Sequence, residues 1–281
     1  MNIGIIGNGF VGKATYLLKC QDINIKVYDI NPKLCNPLGT TLTDLKDCEF
    51  IFISVPTPMN KDGSCYLNIV NDIITNLKVL EFKNFIILRS TVPIGTCDSL
   101  NCYFMPEFLT EKNFEYDFIN NKDWIFGLTG DIKDKEFKLN INKLFDLAFL
   151  YNKIKYNNIH FITTKEAEMV KLFKNCFLAN KVSFCNEMHQ FCQIKNINYD
   201  NVIKIVGNDD RILHSHTKIP GPDGKYGFGG TCFPKDVASL KYEMEQCNMV
   251  PYILKSIITR NELIDRPEKD WCANKGRAVI E

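Results

Sequence analysis

Short apolar runs alternate with longer polar segments through the first half of the chain. Residues 3–6, 25–28, 51–55, 85–88, 103–105 and 124–128 are such runs, and 159–162 is the last of them. Between them, residues 67–80 and 135–150 repeat their apolar positions at helical spacing. This alternation predicts an α/β fold, a Rossmann-type doubly wound sheet that is mainly parallel. Ligands of such sheets sit beyond the carboxyl ends of the strands, where the polar and glycine-rich stretches of this chain fall.

After residue 163 the period becomes helical throughout. Thr163 and Glu166 form a capping-box pair opening a long helix. Val170, Phe173, Phe177, Phe184, Met188 and Phe191 then recur near helical period as far as about Ile194. Most of that stripe is read as packing, and a helix of this length as a domain spine or subunit interface. Shorter helices are expected over 200–206, 235–247 and 251–264. The expected organisation is a dinucleotide-binding domain over 1–163, an all-helical central and dimerisation domain over 164–265, and a short tail over 266–281 without a third domain.

Composition narrows the function classes. A net charge of +1 gives no electrostatic case for nucleic acid or a membrane surface. No apolar run approaches membrane-spanning length, and the N-terminus enters a strand without a signal peptide. The 12 cysteines are scattered, which reads as reduced thiols in a cytoplasmic protein. No metal site is expected, because His214 and His216, near Asp209 and Asp210, lack zinc-like spacing.

Two segments carry chemistry. The first strand runs into Gly7-Asn8-Gly9-Phe10-Val11-Gly12, a G-x-G-x-x-G sequence. There Gly7 permits a tight turn, Gly9 lets backbone approach a pyrophosphate, and Gly12 lets the next helix pack closely. Asp29 ends the second strand, near the distance expected for the acid that holds an adenosine ribose. A carboxylate there repels a 2′-phosphate, so the expected cofactor is NAD and not NADP.

The second segment is residues 227–236, in which three glycines precede Cys232 and then Pro234, Lys235 and Asp236. A thiol just ahead of a helix meets unpaired backbone N–H groups, which favour thiolate. The glycines are read as permitting close approach to a ligand; an ordinary glycine turn with an incidental cysteine is the alternative. Lys171 and Asn175 stand four apart and share a helix face, where they can polarise a hydroxyl or stabilise an oxyanion. Residues 54–58, 89–96 and 106–111 each follow an apolar strand, and the last supplies Glu107 and Glu111.

The segments GIIGNGFVG, VPTP, STVPIG, PEFLTE, VKLFKN, Asp210-Arg211-Ile212 and GFGGTCFPKD follow one another from residue 1 to about 265. In that order and spacing the chain resembles the UDP-glucose/GDP-mannose dehydrogenase family. The resemblance implies NAD-dependent, four-electron oxidation of the C6 alcohol of a nucleotide sugar, UDP-glucose to UDP-glucuronate, by a homodimer. It implies that Cys232 captures the aldehyde as a thiohemiacetal, which is oxidised to a thioester and hydrolysed. Lys171 and Asn175 would stabilise and position the oxygen, and Asp236 would handle protons through water. Glu107 and Thr91 would serve thioester hydrolysis, with Glu111 a further acid of unsettled role.

By the same resemblance, Gly7, Gly9, Phe10, Val11, Gly12, Asp29 and Lys33 contact the cofactor. Val55, Pro56, Thr57, Ser90 and Thr91 do so from the neighbouring strand ends. Substrate contacts fall to Glu107, Phe108, Leu109, Lys171, Asn175, Phe228, Gly229 and Arg211, the last reaching into a neighbouring subunit. Family members usually continue into a second α/β domain that grips the nucleotide diphosphate. Without one here, Lys218 and Lys225 of the segment 217–225 are expected to supply some of those contacts. Two other readings stay open: a single-step β-hydroxyacid-type dehydrogenase, and a non-catalytic NAD-binding protein.

Overall fold

A computed structural model describes residues 1–280 and divides them into two compact units. The first comprises Met1–Thr57 and Leu67–Lys171; the second comprises Pro58–Tyr66 and the chain from Leu172 onward.

In the first unit the strands are β1 Asn2–Ile6, β2 Asn24–Tyr28, β3 Phe50–Ile53, β4 Phe85–Leu88, β5 Tyr103–Phe104, β6 Asp123–Leu128 and β7 Asn158–Thr163. They form one sheet in the order β2-β1-β3-β4-β5-β6-β7. Every pairing is parallel except β5 with β6, so the mainly parallel, Rossmann-type sheet is as expected. The chain leaves β1 toward one edge and returns on its other side. That reversal makes a topological switch point, where doubly wound sheets take their ligands.

The helices of this unit are α1 Phe10–Tyr16, α2 Asn68–Val79, α3 Thr96–Leu100, α4 Phe114–Ile119 and α5 Asp134–Leu150. One apolar cluster joins Ile3, Ile5, Phe50 and Phe52 to Phe137 and Phe145. A second joins Ile51, Ile53 and Leu88 to Val70, Ile74 and Leu77. Both faces of the central strands are thereby buried, and β3 reads as continuous apolar residues for that reason.

The long helix α6 spans Thr164–Ile194, starting where the capping box predicts. The Glu166 carboxylate accepts from the Thr163 N–H and hydroxyl, both at 2.8 Å. Its first turns belong to the first unit: Ala167 joins the sheet core, and Glu168 accepts from Gly95 N–H at 2.5 Å and Cys97 N–H at 2.8 Å. The compact units therefore divide within α6, at Lys171, rather than at its start.

The second unit contains the rest of α6 with α7 Tyr199–Val206, α8 Phe233–Gln246 and α9 Tyr252–Arg260. The last helix widens into one π-turn over Asn261–Asp265. Leu172, Cys176 and Ala179 pack with Phe228, Val237, Leu240, Leu254 and Ile257. Among residues 266–280, Trp271, Ala278 and Val279 form a small cluster against Met59.

The aromatic stripe of α6 corrects the packing expectation. Phe173, Phe177, Phe184 and Phe191 are 58%, 57%, 60% and 52% exposed. The inward face is made of smaller residues offset from them: Leu172, Cys176, Ala179, Ser183, Cys185 and Asn186. Only small side chains let α8 and the cysteine loop approach, so the bulky ones are left on the outer face.

Candidate active site

In the first unit the glycine-rich loop after β1 has the tight backbone that its glycines predict. Gly7 takes φ +93°, and a Cβ there would meet the Ser54 backbone oxygen at 2.5 Å. At Gly12 a Cβ would lie 2.0 Å from the Gly7 oxygen, so α1 cannot sit this close to the loop with any other residue. Gly9 is the N-cap of α1, and the space its Cβ would take is open. An anion can therefore approach the backbone there, on the positive end of a helix. Asn8 N–H donates to the Asp29 carboxylate at 2.7 Å, and Asn31 N–H donates to its other oxygen at 2.8 Å. Phe10 and Val11 form the first turn of α1, and Lys33 stands exposed in a short turn after β2.

The strand ends beside this loop are tied together. Ser90 hydroxyl donates to Val55 C=O at 2.6 Å and receives Val55 N–H at 3.0 Å. This crosslink ends β3 at Ile53, earlier than the apolar run predicts. Thr57 hydroxyl donates to Thr91 C=O at 2.7 Å, and Pro56 between them is exposed. The residues present thus fit a dinucleotide: an open glycine cap, an acid at the end of β2, and a braced shelf at β3 and β4.

Beyond β5, Glu107 is 6% exposed and Lys171 2%. The Lys171 ammonium donates to a Glu107 carboxylate oxygen at 2.6 Å and to the Glu107 backbone C=O at 2.6 Å. Leu109 N–H donates to the other carboxylate oxygen at 2.9 Å. Burial pushes the Glu107 carboxyl up, but Lys171, this N–H and the Arg89 charge more than offset that and hold it below the usual carboxylate range. Phe108 places its ring 5.6 Å from the lysine nitrogen. Glu111 is exposed.

In the second unit Cys232 is the N-cap of α8, with Pro234 in the first turn. Its sulfur is half-buried and lies 3.8 Å from the Thr231 hydroxyl. Asp236, one turn later, is 1% exposed. It accepts from the Asn175 amide at 2.6 Å and from the Lys235 ammonium at 2.7 Å. Burial works against the charged form of Lys235, but Asp236 and the sulfurs of Cys232 and Cys65 raise it above the ordinary lysine value. Cys232 thus stands at a helix N-terminus, and Lys235 and Asp236 follow it in the first turn. Lys235 was visible in the sequence as a neighbour of Cys232, yet nothing in the pattern showed that its side chain is only 13% exposed.

The glycines of this loop serve the chain's own side chains. A Cβ at Gly227, which takes φ +66°, would meet the Asn261 amide oxygen at 2.2 Å. A Cβ at Gly229 would meet the Arg266 guanidinium at 2.6 Å. Asn261 also receives Phe228 N–H and donates to Phe228 C=O, each at 2.8 Å, and the Phe228 side chain lies in the core. Arg266 is ion-paired to Asp223 and Asp270. The close approach read from the glycines is thus made at 227 and 229 by Asn261 and Arg266. Neither was legible beforehand, because buried polar clamps carry no periodic signal.

Lys225 is likewise engaged, with Glu268 at 3.1 Å and Asp270 at 2.9 Å. Arg211 is exposed and paired in bidentate fashion with Asp209. Among the described residues no group of three or more His, Cys, Asp or Glu side chains is arranged to hold a metal. None of the described helices is long and apolar enough to cross a membrane.

Residues 36–145 match the NAD binding domain of the UDP-glucose/GDP-mannose dehydrogenase family, and residues 165–263 match its central domain. The chain belongs to that family. It is an NAD-dependent oxidoreductase by that membership, and its cofactor is NAD.

Among the family's curated members, the chain is similar to the UDP-glucose 6-dehydrogenase of Rickettsia prowazekii (strain Madrid E). The two are 29% identical over 304 residues, covering 94% of this chain and 67% of that protein. It is 27% identical over 300 residues to the UDP-glucose 6-dehydrogenase of Campylobacter jejuni, covering 94% of this chain and 72% of that one. Its fold matches a UDP-glucose dehydrogenase from the hyperthermophilic archaeon Pyrobaculum islandicum. There the TM-score is 0.75 at 24% identity, over 93% of this chain and 68% of that one. The chain thus spans about two thirds of the length of these relatives.

Proposed function

We propose that this protein oxidises the C6 alcohol of a nucleotide sugar to the carboxylate, with UDP-glucose as substrate and UDP-glucuronate as product. The observation that carries the reading is Cys232, a thiol at a helix N-terminus with Lys235, Asp236 and Asn175 ordered around the next turn. A single-step alcohol oxidation has no use for a nucleophilic thiol; oxidation through to an acid does. A free aldehyde has no second hydride to give except as its hydrate, and an adduct with sulfur restores one.

In this reading NAD, held at Gly7, Gly9, Gly12 and Asp29, supplies the hydride acceptor for both oxidation stages. The alcohol proton passes to water held by Asp236 while Lys171 stabilises the oxygen and Asn175 positions it. The Cys232 thiolate adds to the aldehyde carbon and the carbonyl oxygen takes a proton, giving a thiohemiacetal. Oxidation of that adduct gives a thioester on Cys232. Water then attacks the thioester carbonyl, Glu107 accepts its proton with Thr91 ordering the water, and the sulfur leaves as thiolate. Asp236 moves protons at the cysteine end of the site through water.

The test is NAD reduction over a panel of UDP- and GDP-sugars, with product stoichiometry. Two NADH per sugar acid with UDP-glucose supports the reading, and one NADH per sugar supports the β-hydroxyacid-type alternative. NAD binding without reduction on any sugar supports a non-catalytic role.

We further propose that the protein acts as a homodimer through the outer face of α6, with Arg211 reaching the substrate of the other subunit. Support comes from the exposed aromatic stripe, in which Phe173 and Phe177 stack at 6.3 Å. Clustered exposed apolar side chains are a mark of association sites. Phe177→Asp with Phe184→Asp is expected to convert the sedimenting species from dimer to monomer and to abolish turnover. A variant that sediments as the wild type removes this interface from consideration.

A further inference from the structure

Arg89 is 2% exposed, and none of the chemistry described above uses it. It follows directly on β4, whose last residue Leu88 is paired with Phe104 of β5. Met105 N–H donates to Leu88 C=O at 2.9 Å, which sets Met105 opposite Arg89, and Glu107 follows two residues later on the neighbouring strand end. In the other direction, Arg89 Nη1 donates to the Thr15 hydroxyl and to Val11 C=O at 3.4 Å. Both acceptors are on α1, the helix whose N-terminus caps the phosphate loop. The guanidinium carbon sits 5.8 Å from the centre of the Phe118 ring, and Nε is buried without a hydrogen-bond partner.

A buried cation is expensive unless the structure uses its charge or its donors. Here the donors point at α1 and the charge is felt at Glu107. Burial lowers the Arg89 guanidinium to about 10, and Glu107 opposes that fall. Arginine suits the post because it carries several donors in a fixed plane and stays protonated well above neutrality.

We propose that Arg89 is a positioning residue for two parts of the site at once: its hydrogen bonds fix α1 where the phosphate loop meets NAD, and its charge, one strand over, acts on the Glu107 carboxylate. The second role rests on the reading of Glu107 as the base for thioester hydrolysis. Within the first unit the charged groups facing Glu107 are Lys171 and Arg89, joined by the Leu109 N–H. Lys171 alone therefore does not set the carboxyl; removal of Arg89 raises it while the lysine pair stays in place.

Four variants separate the roles: Thr15→Val, Arg89→Lys, Arg89→Met and Glu107→Gln. NAD affinity is measured by calorimetry, and steady-state turnover is followed against pH. Thr15→Val and Arg89→Lys disturb the hold on α1 but keep the charge. Each is expected to weaken NAD binding by about tenfold, the equivalent of one good hydrogen bond, with the acid limb of the rate profile unmoved. Arg89→Met is expected to weaken NAD similarly and to move the acid limb up by about one pH unit, because a carboxylate has lost a nearby cation. A purely structural arginine would not move that limb.

Wild-type NAD affinity in Thr15→Val and Arg89→Lys overturns the first role. An unmoved limb in folded Arg89→Met overturns the second. Should Arg89→Met fail to fold, Arg89→Gln with the same profile decides it, and Thr15→Val judges the first role on its own. Full turnover in Glu107→Gln sinks the reading of Glu107 instead, and leaves the NAD affinities to judge Arg89 separately.

Discussion

Cys232→Ser is expected to reduce formation of the sugar acid by about a thousandfold or more while leaving NAD affinity unchanged. The substitution keeps the N-cap position of α8 and removes only the thiolate. A serine hydroxyl is not ionised near neutrality even with Lys235 beside it, so the aldehyde is no longer captured. In the proposed reading NAD is held by the glycine loop, Asp29 and the β3 and β4 ends, all in the first unit, and the substitution changes none of them. The check has two parts. Wild-type protein quenched during turnover should carry substrate mass on the Cys232 peptide, and the serine variant should halt at the aldehyde or at a covalent stage. Full turnover to acid by the serine variant would falsify the thioester route.

Lys171→Met is expected to be the most damaging single change to both activity and stability. It leaves the Glu107 carboxylate 6% exposed with its ion-pair partner gone. Breaking a buried pair from one side costs about 3–5 kcal/mol, since the orphaned charge stays desolvated. On the role proposed for Lys171, turnover is expected to be lost with the cation. Lys171→Met with Glu107→Gln removes both charges, and is expected to recover most of the stability and none of the activity.

The pH dependence carries a sign that distinguishes this from general damage. In the wild type the folded Glu107 carboxyl lies below its unfolded value. Its contribution is therefore fully present above the unfolded value and is lost as pH falls through the folded one. Without Lys171, burial is left opposed only by Arg89 and the Leu109 N–H, and the carboxyl rises. The variant's deficit should then be smallest in acid and widen as pH climbs past the ordinary carboxylate range. Melting temperatures of the two proteins from about pH 4 to 8 give the comparison. A constant difference across that range would show that Glu107 is not the group responsible.

The glycine-rich loop after β1 shows why part of the local geometry was readable in advance. Gly7, Gly9 and Gly12 answer to local backbone geometry: a positive φ, an open cap and a contact with the chain five residues back. Each requirement is set by residues near in sequence, so spacing is enough to see it. The same holds for Cys232 ahead of Pro234, for the Thr163 and Glu166 cap, and for the strand-and-helix alternation. Lys171 and Asn175 were legible as a shared face because four residues make one turn.

Tertiary structure decided what those side chains face. Lys171 meets Glu107, 64 positions earlier, and Asn175 meets Asp236, 61 positions later. Arg89 turns inward to α1, and the cysteine-loop glycines make room for Asn261 and Arg266. The α6 stripe had the right period and the wrong face, since period fixes which residues lie together but not which side the core takes. Local patterns follow from backbone sterics and are written in adjacent residues. Partnerships of buried polar groups arise only when distant segments exclude water together, and no spacing along the chain records them.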